Sequence, residues 1–301
     1  MLKPQQPKCH QFHNASEDLA HARLDPDATE QSRSSAYRLA YDDLDFVLRD
    51  EMRPVRLLME LSKTELTLQD NDIQQTVVIF GSARTLSPEQ ATAELEQVEA
   101  AMQKQPQCDA LKKQHALAKQ AVKRSDYYQH ARLLARLITE QSHRADYADV
   151  CITTGGGPGI MEAANRGAFE VSGKSIGLNI ILPHEQHPNP YISPELCFRF
   201  HYFAMRKMHF LLRARALVVF PGGFGTLDEL FETLTLVQTG KIQKFPILLF
   251  NQQYWRSLIN FDLLVEEGMI SAEDMQTFRF VESAEEAWQL IHQALLDDVK
   301  G

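Results

Sequence analysis

The sequence lacks the marks of several large protein classes. No apolar run approaches the roughly 18 residues a membrane-spanning helix needs, so no membrane partner is expected. Basic residues do not dominate. Asp and Glu number 40 against 31 Lys and Arg, a net charge of −9, which argues against a general nucleic-acid binder. Cysteine is sparse: Cys9, Cys108, Cys151 and Cys197 lie far apart and match no zinc spacing. Cys151 sits in an apolar run and reads as a small buried residue. A reduced, cytoplasmic setting is expected. The stretch from Met1 to Leu24 is polar and has no apolar h-region, so no secretory signal is expected. Neither Gly-x-x-x-x-Gly-Lys-Ser/Thr nor His-Glu-x-x-His occurs, which sets aside P-loop triphosphate chemistry and that zinc-hydrolase motif. His10 and His13 have no further ligand at a fitting spacing and read as a solvated tail. No metal or other cofactor is expected, and no internal repeat is present.

What is there alternates. Residues 1–33 are polar and read as a loose arm, and from Ser34 to about Leu68 apolar residues recur at helical spacing. Residues 1–75 are thus expected to be an arm and helical extension. Beyond them, short β-branched or apolar runs end at glycine or proline and are followed by helical patterns. The runs are Gln75–Phe80, Val150–Thr154, Ser175–Leu182, Phe198–Phe203, Ala216–Phe220, Pro246–Phe250 and Phe278–Val281. This predicts an α/β fold over 76–301, a Rossmann-like doubly wound parallel sheet with ligands at the C-terminal strand ends. Residues 87–123 are polar and helical, an expected inserted hairpin. Ser125 is the expected N-cap of the sheet-covering helix after it. One helix is expected over about Tyr254–Gly268.

Three glycine turns end strands: Gly81-Ser82-Ala83-Arg84, Gly155-Gly156-Gly157-Pro158-Gly159, and Pro221-Gly222-Gly223-Phe224-Gly225-Thr226. A glycine turn opening a helix aims bare N–H groups and the positive helix end at one point, which suits a phosphate. The dinucleotide pattern is not met, because Ile160 stands where a third glycine belongs and no acid ends the next strand. The site therefore reads as built for one phosphate, that of a mononucleotide. Arg84 reads equally as a phosphate contact or a loop arginine. Glu229 is unusual beside a phosphate. Locally it is most simply half of a capping box, Thr226-x-x-Glu229, with Thr226 as N-cap. Arg206-Lys207 is locally an ordinary helix-surface pair.

Together, Pro221-Gly222-Gly223-x-Gly225-Thr226-x-x-Glu229, the block Gly155–Ala163, Arg206-Lys207 before the third turn, and Gly81-Ser82 resemble the LOG family. These are the cytokinin riboside 5′-monophosphate phosphoribohydrolases, often mislabelled as lysine decarboxylases. The resemblance covers about residues 76–250, and the long insert and arm make the chain look like a longer bacterial branch. It implies hydrolysis of the N-glycosidic bond of a nucleoside 5′-monophosphate to free base and ribose 5-phosphate. It implies catalytic roles for Arg206 and Glu229, and a phosphate turn of Gly222, Gly223, Gly225 and Thr226. Further substrate contacts are expected at Gly81, Ser82, Gly156, Gly157, Glu185 and Lys207. A homodimer or higher homo-oligomer is implied as well. The alternative is a non-catalytic carrier or sensor of nucleotide or molybdenum cofactor on the same fold.

Overall fold

The structure is a computed structural model that describes residues 14–23, 29–142, 149–183 and 187–300, with side chains to residue 297. The chain divides into two compact units, 1–60 and 61–301.

The first unit holds α1 (Ala15–Ala22), α2 (Leu44–Val47) and the start of α3 (Arg53–Asp70). Thus part of the expected arm is helical, and Asn14 and Glu17 form a capping box at its start. Neither α1 nor α2 has a buried residue. Polar ties hold the unit: the Tyr41 hydroxyl donates to the Ala15 carbonyl at 2.9 Å, and Arg23 pairs with Asp42 at 2.6 Å.

The second unit runs β1 (Gln75–Phe80), α4 (Pro88–Lys104), α5 (Asp109–Ser142), β2 (Val150–Thr154), α6 (Ile160–Phe169), β3 (Ser175–Ile180) and β4 (Cys197–Phe200). It continues with α7 (Phe203–Leu211), β5 (Ala214–Val219), α8 (Phe224–Gln238), β6 (Ile247–Phe250), α9 (Gln252–Leu258), α10 (Phe261–Glu266), β7 (Arg279–Val281) and α11 (Ala284–Lys300). Among the described residues the seven strands form one parallel sheet in the order β4-β3-β2-β1-β5-β6-β7. The chain winds outward from β1 on one side, then returns beside β1 and winds outward on the other. This is a doubly wound α/β sheet, with its switch point between β1 and β5.

The strands read as continuous apolar runs because both faces are covered. Strand residues alternate in direction, so Val77 and Ile79 of β1, with Ala216 and Val218 of β5, join one core. Helices α5, α6 and α11 close that face through residues such as Leu134, Ala164 and Ile291. Val78, Phe80, Leu217 and Val219 enter the other core, against Phe210 of α7, Leu230 of α8 and Trp255 of α9. Each fully buried side chain of this size contributes about 1.5–3 kcal/mol against exposure.

Several boundaries differ from expectation. The strand expected over Phe198–Phe203 ends at Phe200, and Phe203 already opens α7. Ser125 is not an N-cap: it lies inside the 34-residue α5, and its hydroxyl donates to the Val122 carbonyl at 2.7 Å. The inserted hairpin is α4 and the first part of α5, and the same helix continues as the sheet cover. The helix expected over 254–268 is two, because Asn260 caps a new start by accepting from the Leu263 N–H. The third strand ends at Ile180, and Ile181 and Leu182 are exposed.

Candidate functional site

The switch point puts the ends of β1 and β5 side by side, and hydrogen bonds tie the two turns that follow them. The Phe220 N–H donates to the Phe80 carbonyl at 2.8 Å, and the Ser82 N–H to the Pro221 carbonyl at 3.1 Å. A cavity of about 720 Å³ opens above them. Its walls come from the Gly81–Arg84 turn, from Gly155 and Met161, from Phe203 and Arg206 of α7, and from the Gly222–Glu229 segment. A cavity of this size takes a small-molecule ligand.

The turn at the end of β5 gives this cavity its floor. Helix α8 begins at Phe224 with Gly223 as N-cap, and no side chain caps it. The first helical bond is from the Leu227 N–H to the Gly223 carbonyl at 3.0 Å. The N–H groups of Phe224, Gly225 and Thr226 therefore precede the ladder and face outward with the positive helix end, a site for an anion. A Cβ added at Gly223 or Gly225 would meet nothing within 4 Å, so these glycines keep the approach to the N–H groups open. Gly222 is different: a Cβ there would collide with the Thr226 side chain, and its carbonyl accepts from the Tyr254 hydroxyl at 2.8 Å.

The capping box expected from Thr226 and Glu229 does not form. Helix α8 starts before Thr226, so both residues are already inside it. Thr226 and Glu229 are both buried. The local reason for Glu229 is gone, and its position must be explained by what surrounds it.

That surrounding is Arg206. Its Nη1 stands 3.9 Å from Glu229 Oε1, and both side chains are about nine-tenths buried (13% and 11% exposed). At that distance the two attract but do not share a hydrogen bond. Arg206 is held by its Nε, which donates to the Leu178 carbonyl of β3 at 2.7 Å, and by the Phe210 ring, 5.1 Å from the guanidinium carbon. No hydrogen bond to its two Nη groups is present among the described residues. Gly155 makes room for it: a Cβ there would stand 2.6 Å from Arg206 Nη2. Burial pushes the Glu229 carboxyl up to about 7, with Arg206 and Lys207 pulling the other way. Burial also pushes the Arg206 guanidinium downward, against the pull of Glu229. Two ionisable groups with unused hydrogen-bonding capacity, facing one cavity, form a candidate catalytic pair.

The expected site residues do not all gather here. Arg206, Glu229, Gly81, Ser82, Gly222, Gly223, Gly225 and Thr226 line the cavity, and Arg84 does too. Gly156 and Gly157 do not; their carbonyls accept from the Asn189 side chain at 3.2 and 3.0 Å, and Gly155 is the member of that turn that reaches the cavity. Lys207 does not line this cavity; its ammonium is held by Asp228, which does, at 3.0 Å, and by Glu232 at 2.7 Å. Burial lowers its ammonium, but those two bonds outweigh it and the net shift is upward. Glu185 lies outside the described residues. Sequence reasoning missed Phe203, Phe224, Met161, Asp228 and Leu258 on the cavity wall. For Phe224 a signal existed, an apolar residue inside a glycine turn. Leu258 carries none, since it arrives from a helix that ends 29 positions after Glu229.

A family model described as "Possible lysine decarboxylase" matches residues 161–291. Over that span the chain is similar to this family. The family segment holds Arg206, the α8 turn and Glu229, whereas Gly81, Ser82 and the Gly155–Gly157 turn precede it. "Cytokinin riboside 5'-monophosphate phosphoribohydrolase LOG7" of Arabidopsis thaliana is 40% identical over 90 residues, 29% of this chain and 40% of that protein. The LOG1 enzyme of the same name and plant is 44% identical over 68 residues, 22% of this chain and 32% of that protein. The chain thus spans two fifths or less of the length of these relatives. Among solved structures, the molybdenum cofactor binding protein from Rippkaea orientalis has 22% identity and a TM-score of 0.39, covering 56% of this chain and 86% of that one. No helix among the described residues is long and apolar enough to cross a membrane.

Proposed function

We propose that this chain hydrolyses the N-glycosidic bond of nucleoside 5′-monophosphates, AMP or a cytokinin riboside monophosphate among them, giving free base and ribose 5-phosphate. The observation that carries the reading is the buried Arg206–Glu229 pair beside a helix N-terminus whose N–H groups are open to an anion. The substrate phosphate sits against the Phe224, Gly225 and Thr226 N–H groups. Glycosidic cleavage develops oxocarbenium character at the sugar, and the Glu229 carboxylate stabilises it and orients the attacking water. Arg206, whose Nη groups make no hydrogen bond among the described residues, favours the ionised form of Glu229 against its burial and reaches the phosphate or the leaving base. Phe203 and Phe224, 51% and 92% exposed at the cavity, offer ring faces to the base.

The description of the matching family names a different reaction. A decarboxylase of that kind needs a lysine to hold pyridoxal phosphate. No lysine stands among the residues lining this cavity, and Lys207 is occupied by two carboxylates. The cavity does not fit that cofactor. A pure carrier gains little from a buried carboxylate beside its anion site. We further propose a homodimer, to be checked by sedimentation equilibrium.

The test is release of free base from each common nucleoside monophosphate, followed by chromatography. Adenine from AMP, or another base from its nucleotide, is expected; no base from any of them would sink the proposal. Glu229→Gln keeps the shape and is expected to lower kcat by about 10²–10³. Full turnover in that variant would remove Glu229 from the mechanism.

A further inference from the structure

A second cavity of about 670 Å³ lies at the other end of the same strands. Gln74 precedes β1, Ala214 begins β5, and Phe245 precedes β6, so this cavity sits at the N-terminal strand ends, away from the first. Its size also suits a small molecule.

Its charge runs against that of the chain. Lys207, Arg213, Arg215, Lys241 and Lys244 line it, and Glu232 is the single acid among the lining residues. In a chain of net charge −9 this is a local inversion. Not all of these cations are free. Arg213 Nη1 holds Glu65 at 2.7 Å and its Nε the Ile73 carbonyl at 3.0 Å. Lys241 and Lys244 stand on the exposed loop after α8, which leaves the helix through Gly240 at φ +67°. Neither lysine makes a hydrogen bond or ion pair among the described residues. Beside the cations runs an apolar wall that includes Met208, Leu212, Ile242 and Phe245, with Met208 and Leu212 exposed. Cations converging beside an apolar wall fit an anion with an apolar body.

Lys207 joins the two cavities. It lines the second, yet its ammonium holds Asp228, which lines the first and adjoins Glu229. Its other partner, Glu232, lines the second. An anion arriving in the second cavity competes with these carboxylates for one ammonium.

We propose that the second cavity binds a small organic phosphate with a flat apolar body, and that Lys207 transmits its occupancy to Asp228 and Glu229 in the first cavity. The inference does not rest on the reaction proposed above, and its test reads binding rather than turnover. The full chain is titrated with phenyl phosphate and followed by backbone amide NMR. Saturable shifts are expected at Arg215, Ile242 and Phe245, with shifts at Asp228 and Glu229 that follow the same binding curve. The double variant Lys241→Glu, Lys244→Glu changes exposed loop positions outside the first cavity. It is expected to weaken binding at Ile242 by about tenfold or more and to remove the linked shifts. Lys207→Met is expected to keep saturable shifts at Ile242 and lose the linked ones. The site is overturned if Ile242 does not respond at about 10 mM, a weak-binding limit, if it responds equally in the double variant, or if uncharged benzyl alcohol acts as well. The link is overturned if Asp228 and Glu229 still shift in the double variant, which would place phenyl phosphate in the first cavity, or in Lys207→Met.

Discussion

Two glycine-rich turns follow β2 and β5, the strands on either side of β1, and they use glycine for opposite reasons. At the end of β2 every glycine is absent of side chain because something else fills the space. A Cβ at Gly155 would strike Arg206, at Gly156 the Asn179 side chain, and at Gly159 the Ser82 carbonyl. Gly156 and Gly159 also sit at φ +77° and +72°. At the end of β5, Gly223 and Gly225 have nothing within 4 Å and neither is among the positive-φ residues. The first turn is a packing joint that lets strand, helix and Arg206 close on one another. The second, beyond the packed Gly222, is a cleared floor at Gly223 and Gly225. A run of glycines in sequence does not say which of these it is, because the neighbours come from distant parts of the chain.

The comparison breaks most visibly by adding one methyl group to each turn. Gly159→Ala forces a strained backbone and a collision with main chain, so it is expected to lose about 3 kcal/mol or more of stability in denaturant unfolding. If Gly159→Ala unfolds like the native chain, the turn is not a packing joint.

A smaller effect separates Glu229 from an ordinary surface acid. Its folded-state value of about 7 lies above the usual glutamate value of 4.5, so the native chain binds its proton more tightly than the unfolded chain. The associated stability is fully present below about pH 4.5. It is lost as pH rises and is gone above about pH 7. Across that range the native chain should lose roughly 3 kcal/mol relative to Glu229→Gln, read as the difference between their unfolding free energies. A parallel pair of curves would show that Glu229 is not buried as described. By the same titration, kcat/KM for the proposed base release by the native chain should rise through about pH 7, as the carboxylate forms.

Gly155→Ala is aimed at Arg206 rather than at the backbone, since a Cβ there meets the far end of that side chain and Met161 Sδ. It is expected to cost about 1–2 kcal/mol of stability and to lower kcat/KM by more than tenfold through the displaced guanidinium. The smallest structural effect belongs to Gly225→Ala. In an exposed first helical turn it should leave stability within about 1 kcal/mol of native, while raising KM for a phosphate-bearing substrate about tenfold by crowding the N–H groups. Gly225→Ala with an unchanged KM would remove the phosphate from that turn.

Much of the fold could be read from the sequence because its signals are local. Val77 to Phe80 are β-branched or aromatic and end at glycine, and Ala216 to Phe220 end at Pro221, so strand limits and the alternating α/β order follow from short windows. Helix limits were read less well where a local motif competed with continuation. Ser125 has the local pattern of a cap but lies inside α5, and Thr226 has it too but is the third residue of α8. Capping signals report what a terminus could use, and tertiary packing decides where the terminus is.

The candidate site divides along the same line. The residue types, the anion-suited turn and the resemblance carried by Pro221 to Glu229 are properties of the sequence by itself, because N–H groups at a glycine-opened helix start need no distant partner. The pairing of Arg206 with Glu229, the capture of Lys207 by Asp228 and Glu232, and the rise of the Glu229 carboxyl to about 7 belong to the tertiary structure alone. The reason is physical. Desolvation depends on every atom that excludes water from a group, and those atoms arrive here from β3, α7, α8 and the turn after β2, which only folding brings to one place.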